Sequence, residues 1–212
     1  MLPDADGASG DIPGRWPKPA AAALEAGSRL DAMLEIEMLP AAAAEDAAVV
    51  AEVSALVNRA YQVAEQGLWT DGVARTTPSE TADAVARGEL AVAHEQGRLV
   101  GSIRTRQIDN ETGWFGGLAV DPAHGGHGIG GKLVGFAEAR AMSAGARTMQ
   151  LELLVPLEAH EHTERLAAWY GRVGYRETER RDLEEVEPTA VPFLAVPLEV
   201  AVMQKRLAPP DG

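Results

Sequence analysis

The sequence predicts a mixed α/β fold in a single domain. Three observations point there. From Met33 onward, segments with the apolar period of a strand alternate with segments of helical period; no segment repeats; and 212 residues suffice for one full core. The predicted order is strand, two helices, three strands, helix, strand, helix, and closing strands.

Residues 1–32 mix Pro, Gly, Ala and Asp with few large apolar side chains, so burial offsets little of their ordering cost. They are expected to form a flexible extension, with a short helix over 19–30 outside the core. The domain is expected to span 33–208. "MLEIEML" alternates apolar and charged residues, as a half-buried strand does. In "EDAAVVAEVSALVNRAY", Val49, Val53, Leu56, Val57 and Tyr61 recur at helical spacing behind acids that suit the helix dipole. "GLWTDGVARTT" is a loop. "PSETADAVARGE" is a second helix, opened near Pro78 and stopped at Gly88. "LAVAHEQGRLVGSIRTRQI" reads as two alternating strands about a Gln96-Gly97 turn, and "WFGGLAV" as a third strand after a turn at 109–113. "GKLVGFAEARAMSAGA" is an amphipathic helix with Gly145 beyond its end, "RTMQLELLVP" a buried strand, and "HTERLAAWYGRVGY" a helix ending at Gly174. The tail holds "YRETERRDLEE", a Pro-punctuated connection, and "LEVAVMQKRL", read as an edge strand able to pair across a homodimer.

A net charge of −13 disfavours nucleic acid and anionic lipid and suits a cationic acceptor. The absence of cysteine excludes disulfides, thiolate zinc sites and cysteine nucleophiles. No apolar run reaches the roughly 18 residues of a membrane span, and no basic region leads an apolar one at the N-terminus. The expected location is cytoplasmic.

The segment "DPAHGGHGIGGKLVGF", residues 121–136, carries the most chemistry. A triphosphate-binding loop would need a hydroxyl residue after Lys132, and Leu133 stands there. A dinucleotide fingerprint should begin directly after its strand, but 121–125 intervene, and the preceding strands read as hairpins. Local physics requires less. A strand ends at Val120, the chain turns at Asp121-Pro122, and glycines run into a helix start near 130. Glycine backbone lets successive N–H groups converge, and the helix N-terminus adds positive potential, so a pyrophosphate is the natural guest.

"LAVDPAHGGHGIGGKLV" resembles the acetyl-coenzyme A motif of the GNAT acetyltransferases, with Gly128 and Gly130 at its small positions and Ile129 and Leu133 at its apolar ones. The family's basic or amide position falls on Gly125, a departure that removes one side-chain contact; Lys132, His124 or His127 could compensate. "LAAWYGRVGY" is similar to the family's late helix, and the element order matches over roughly four-fifths of the chain.

The resemblance implies the GNAT acyl-CoA N-acyltransferase fold, a mostly antiparallel twisted sheet flanked by helices. It further implies transfer of an acetyl group from acetyl-CoA to a primary amine by direct attack in a ternary complex, with no metal. The coenzyme would be held by Leu118, Ala119 and Val120 on the fourth strand, and by Gly125, Gly126, His127, Gly128, Ile129, Gly130 and Gly131 in the loop. Tyr170 would be the general acid for the departing thiolate. Some relatives place a Glu where Trp114 stands; Glu152, on the next strand, is the carboxylate expected in its stead. His160 and His162 are further candidates to titrate near neutrality, and proton loss through water is a third route. The acceptor pocket is expected between "GLWTDGVARTT" and the 180–198 connection, with Trp69, Trp114 and Phe193 as walls. Two readings from other classes stand beside this one: a non-catalytic acyl-CoA-binding module and an NAD(P)-dependent oxidoreductase.

Overall fold

Asp46 starts the first helix, its carboxylate accepting from the N–H groups of Ala48 and Val49 at 2.9 and 3.2 Å. The computed structural model describes residues 34–208. The N-terminal extension and its short helix therefore lie outside the described residues. Helix α1, Ala47–Ala64, buries Val50, Val53, Leu56 and Val57. Helix α2, Pro78–Ala86, opens on a capping box between Thr77 and Glu80 with Pro78 in its first turn. The Ser54 hydroxyl ties the two helices together, donating to Val50 O at 2.7 Å and lying in hydrogen-bond contact with the Thr81 hydroxyl at 2.9 Å.

Seven strands form one sheet: β1 Leu34–Met38, β2 Leu90–Glu95, β3 Arg98–Gln107, β4 Thr112–Val120, β5 Thr148–Pro156, β6 Arg176–Asp182 and β7 Leu198–Arg206. Their order is β1-β2-β3-β4-β5-β7-β6, and every neighbouring pair is antiparallel except β4 and β5. Helix α3, Ile129–Ser143, makes the crossover between that parallel pair, and α4, Glu161–Arg172, follows β5. A short helix α5, Leu183–Val186, follows β6.

Both faces of the sheet are covered. On one face Ile129, Leu133, Ala137 and Ala141 of α3 pack with Phe115, Met149, Leu151, Leu153, Tyr170 and Tyr175. On the other, α1 and α2 pack over Leu90, Val92, Leu99 and Ala119. The hairpin therefore departs from the expected half-buried alternation: Leu90–Ala93 and Leu99–Ile103 are buried without a break, because helices sit on both sides. Gly101 permits the close approach of α3, since a Cβ there would lie 2.9 Å from the Leu133 side chain.

The expected edge strand is the main correction. β7 runs between β5 and β6, and its consecutive buried residues Val200–Met203 are what a central strand needs. The edge is β6, whose residues "RETERRD" are all exposed and cross-linked by Arg180–Glu177, Arg181–Glu179 and Arg180–Glu199 pairs. Charge on an exposed edge opposes strand pairing between molecules, so the homodimer contact expected through the final strand has no free edge to use.

Tyr175 shows how the core accommodates polar groups. Its hydroxyl donates to Glu138 Oε1 at 2.7 Å, and Lys205 Nζ bonds both carboxylate oxygens at 2.9 and 2.8 Å. Removing the hydroxyl with Tyr175→Phe leaves Glu138 paired with Lys205. A loss of about 1 kcal/mol is expected in urea unfolding, with an unchanged m-value.

Candidate active site

β4 and β5 pair only at Thr112↔Thr148, Gly113↔Met149 and Trp114↔Gln150. β5 then stays with β7 as far as Pro156. Past Trp114 the two parallel strands part, opening a fork in the middle of the sheet. Main-chain groups along the fork have lost their ladder partner and require another. Their direction follows from the β3 side. Asp121 N donates to Val100 O at 2.9 Å, and Ala119 sits opposite Ser102 as a partner. Alternation then turns the main-chain groups of Ala119 toward β3 and those of Val120 and Leu118 into the fork. Of the three β4 residues expected to hold a ligand by backbone, Ala119 is thus already engaged. A bulge helps the strand swing away: Ser102 pairs with Ala119 but Arg104 with Gly116, and Gly117 takes φ +57°.

At the open end of the fork the chain enters the glycine loop. Asp121 is buried; its Oδ1 accepts from Ala123 N at 2.9 Å, fixing a 3-10 turn over Pro122–His124. Gly126 and Gly128 take φ of +82° and +78°, and α3 starts at Ile129. The first helical N–H bond runs from Lys132 N to Gly128 O, which leaves the N–H groups of Ile129, Gly130 and Gly131 at the helix mouth. Of the candidates to compensate for Gly125, His124 is drawn elsewhere: it lies 3.7 Å from Glu95 and 3.9 Å from Asp121. His127 is exposed on the loop. Gly125 itself has φ −60° and ψ 144°, open to any residue, and an added Cβ would meet only Pro122 O at 3.4 Å.

Tyr170 projects from α4 into an aromatic group, with ring centroids 4.8 Å from Trp169, 5.9 Å from Tyr175 and 6.1 Å from Phe115. Burial, reinforced by nearby Tyr61, drives its phenol pKa well above the ordinary value. Tyr61 comes from α1, which packs on the other face of the sheet. Around Tyr61 lies a set of residues that sequence reasoning missed. Arg75 stacks 5.0 Å from its ring, Trp69 Nε1 donates to Glu65 Oε2 at 2.7 Å, and Arg75 Nε lies 3.8 Å from Glu65 Oε1. Burial raises the Glu65 carboxyl above its usual range, against the opposing pull of Arg75. Glu65 follows the last residue of α1 and Trp69 lies in the loop beyond it, so no helical spacing marks the pair in the sequence.

His160 has a structural duty. Its Nδ1 accepts from Thr163 N at 3.3 Å, capping α4, which places the ring proton on Nε2, 3.3 Å from Gln66 O. The imidazole so joins α4 to the segment after α1. His162 is partly buried, and desolvation lowers its pKa. The two segments expected to border an acceptor do meet: Thr70 N donates to Phe193 O at 2.9 Å and Ala195 N to Leu68 O at 3.0 Å. Trp69 is half-buried there, and Phe193 is exposed.

Glu152 and Tyr170 lie on opposite faces. Leu151 and Leu153 belong to the core that holds Tyr170, and alternation sends Glu152 the other way. Gln150 is the last β5 residue paired with β4, so Glu152 is the first on its face beyond the fork. Its Oε2 accepts from Trp114 Nε1 at 3.3 Å.

This arrangement has counterparts. Residues 86–177, from the end of α2 through the fork, the glycine loop and Tyr170 to the start of β6, match the family model described as "Acetyltransferase (GNAT) domain". Over these residues the chain is similar to a GNAT acetyltransferase domain. Solved structures agree on the fold. PaiA N-acetyltransferase from Thermoplasma acidophilum, in complex with coenzyme A, is 14% identical with a TM-score of 0.60, covering 82% of this chain and 99% of its own. The ribosomal-protein-S18-alanine N-acetyltransferase from Escherichia coli is 17% identical with a TM-score of 0.58, covering 85% and 99%. Aminoglycoside 6'-acetyltransferase type Ii is 19% identical with a TM-score of 0.58, covering 84% and 99%. No curated protein sequence matches the chain. The names of these neighbours include a ribosomal-protein alanine and an aminoglycoside, so the shared fold leaves the acceptor to the site itself.

Proposed function

We propose that this GNAT-like domain transfers an acetyl group from acetyl-CoA to a primary amine in a ternary complex. The observation that carries the reading is the fork between β4 and β5, opening at one end onto the N–H groups of Ile129, Gly130 and Gly131. The pyrophosphate would take those N–H groups, and the pantetheine arm would run along β4 as a replacement strand, bonded by Leu118 and Val120. The thioester then lies deeper in the fork, with Tyr170 on one face and Glu152 on the other.

The neutral amine attacks the thioester carbonyl carbon from the Glu152 side, forming a C–N bond and a tetrahedral oxyanion. Collapse restores the carbonyl and breaks the C–S bond. The sulfur leaves with the bonding pair and takes the phenol proton of Tyr170; the amine's extra proton passes to water or to Glu152. A phenol whose pKa is raised by burial remains protonated and ready for this role.

Thiol release from acetyl-CoA across a panel of amines tests the reaction. Stabilisation by coenzyme A without thiol release would support a binding module instead, and stabilisation by NAD(P) but not coenzyme A would overturn both. Gly125 offers a gain-of-function test, because its backbone and surroundings accept a side chain. Gly125→Arg should lower the KM for acetyl-CoA by roughly 3- to 10-fold through a charge-assisted contact to phosphate, with kcat unchanged.

A further inference from the structure

The face of the sheet that carries Glu152 also carries an arginine pair that the acetyl-transfer reading leaves unused. Arg106 pairs across β3 and β4 with Trp114, and Arg104 with Gly116, so all four share one face at the fork. The Trp114 indole covers Gly116, where an added Cβ would lie 2.4 and 2.5 Å from its Cζ2 and Cη2. Arg106 stacks on that indole with its guanidinium carbon 4.9 Å from the ring centroid. Arg104 lies across the bulge, its Cγ and Cδ 3.7 Å from the position of a Gly117 Cβ.

Charge here is unbalanced. Glu89 accepts from Arg104 Nη2 at 2.8 Å and also lies 3.3 Å from Arg87 Nε. One carboxylate therefore serves two guanidinium groups, while Arg106 has no ion pair among the described residues. Arg104 Nε is buried without a hydrogen-bond partner. A buried guanidinium N–H left unmet carries a desolvation cost that a hydrogen-bond acceptor brought against it would recover.

We propose that the acceptor is an amine that also bears a carboxylate, and that Arg104 and Arg106 bind that carboxylate beside the fork. The proposal rests on the acetyl-transfer reading and narrows its substrate. The planar fork of a guanidinium suits a carboxylate, and the half-buried Trp114 indole offers an apolar platform next to it. Glu152, at the N–H edge of the same indole, is placed to receive the acceptor's ammonium before it loses its proton. The chain's net charge of −13 would favour a polycation at long range. Screening over about 8 Å leaves the contact to local charges, and at this face those include an arginine without an acid partner.

Matched probes decide the matter: L-phenylalanine against phenethylamine, and L-lysine against cadaverine, each with acetyl-CoA and read by thiol release. The carboxylate-bearing member should be preferred at least about tenfold in kcat/KM. Arg106→Ala should erase that preference without changing the KM for acetyl-CoA, and Arg104→Lys, which keeps the charge, should weaken it. Equal or better use of the decarboxylated amines by the unsubstituted protein overturns the proposal, as does an Arg106→Ala variant with the preference intact. Should coenzyme A bind but no probe release thiol, the melting temperature of the coenzyme A complex with each probe decides by the same comparison. Should coenzyme A not bind at all, the acetyl-transfer reading fails by itself, and probe binding to the free protein still decides for or against the arginine site.

Discussion

Tyr170→Phe is expected to lower kcat by about 10²- to 10⁴-fold, the usual worth of a positioned general acid, while coenzyme A binding is retained. The substitution keeps the ring that packs on Trp169, Phe115 and Tyr175, so melting temperature should change little. Transient kinetics with coenzyme A as ligand would separate lost chemistry from lost binding. Unchanged turnover would assign thiolate protonation to water. The pH dependence carries a second expectation. Burial raises the folded-state pKa of Tyr170 above the unfolded value of about 10. Its contribution to stability is therefore intact below about pH 10 and is lost as pH rises beyond that. Up to that point the phenol holds its proton, so no alkaline fall in kcat in the range of pH 7–9 should be removed by Tyr170→Phe.

Gly130→Glu should abolish coenzyme A binding while stabilising the free protein. Gly130 is the second residue of α3, and a Cβ there meets nothing closer than a Val120 methyl at 3.8 Å. A carboxylate in the first turn is favoured by the helix dipole by about 0.3–1 kcal/mol, and replacing glycine in a helix adds about as much again. The same charge faces the phosphates expected at the helix mouth. At about 4 Å and an effective dielectric of 20, the repulsion is on the order of 4 kcal/mol, some two to three powers of ten in affinity. The opposite signs make the test specific: a higher melting temperature for the free variant, with no further rise on adding coenzyme A. Retained binding would place the pyrophosphate away from Ile129–Gly131.

The helices and the loop are legible in the sequence because their signals are local. Asp46, Pro78 and Gly145 act on their own neighbours, and the glycines of 125–131 shape the loop with little outside help. Tyr170 is marked by a motif on its own helix. What escapes depends on which strands lie together. "LEVAVMQKRL" has the place of an edge strand because it comes last, yet its unbroken apolar run Val200–Met203 is the mark of a strand covered on both faces. "RETERRD" stands among the closing strands, but its place at the edge is hidden because its charges leave no apolar alternation to read. Glu65 is indistinguishable from a surface acid until burial and Trp69 give it an environment.

By itself the sequence determined a mixed α/β domain, a glycine-rich turn into the third long helix, and an aromatic helix carrying Tyr170. Each follows from interactions within a few residues of chain. Only the tertiary structure decided that β4 and β5 part after three pairs, that Val120 and Leu118 face the opening while Ala119 does not, and that Glu152 and Tyr170 stand on opposite faces of it. It also brought Arg104, Arg106 and Trp114 to one face beside the fork. Strand register sets all of these, and register comes from contacts between segments far apart in the chain, which no local window contains.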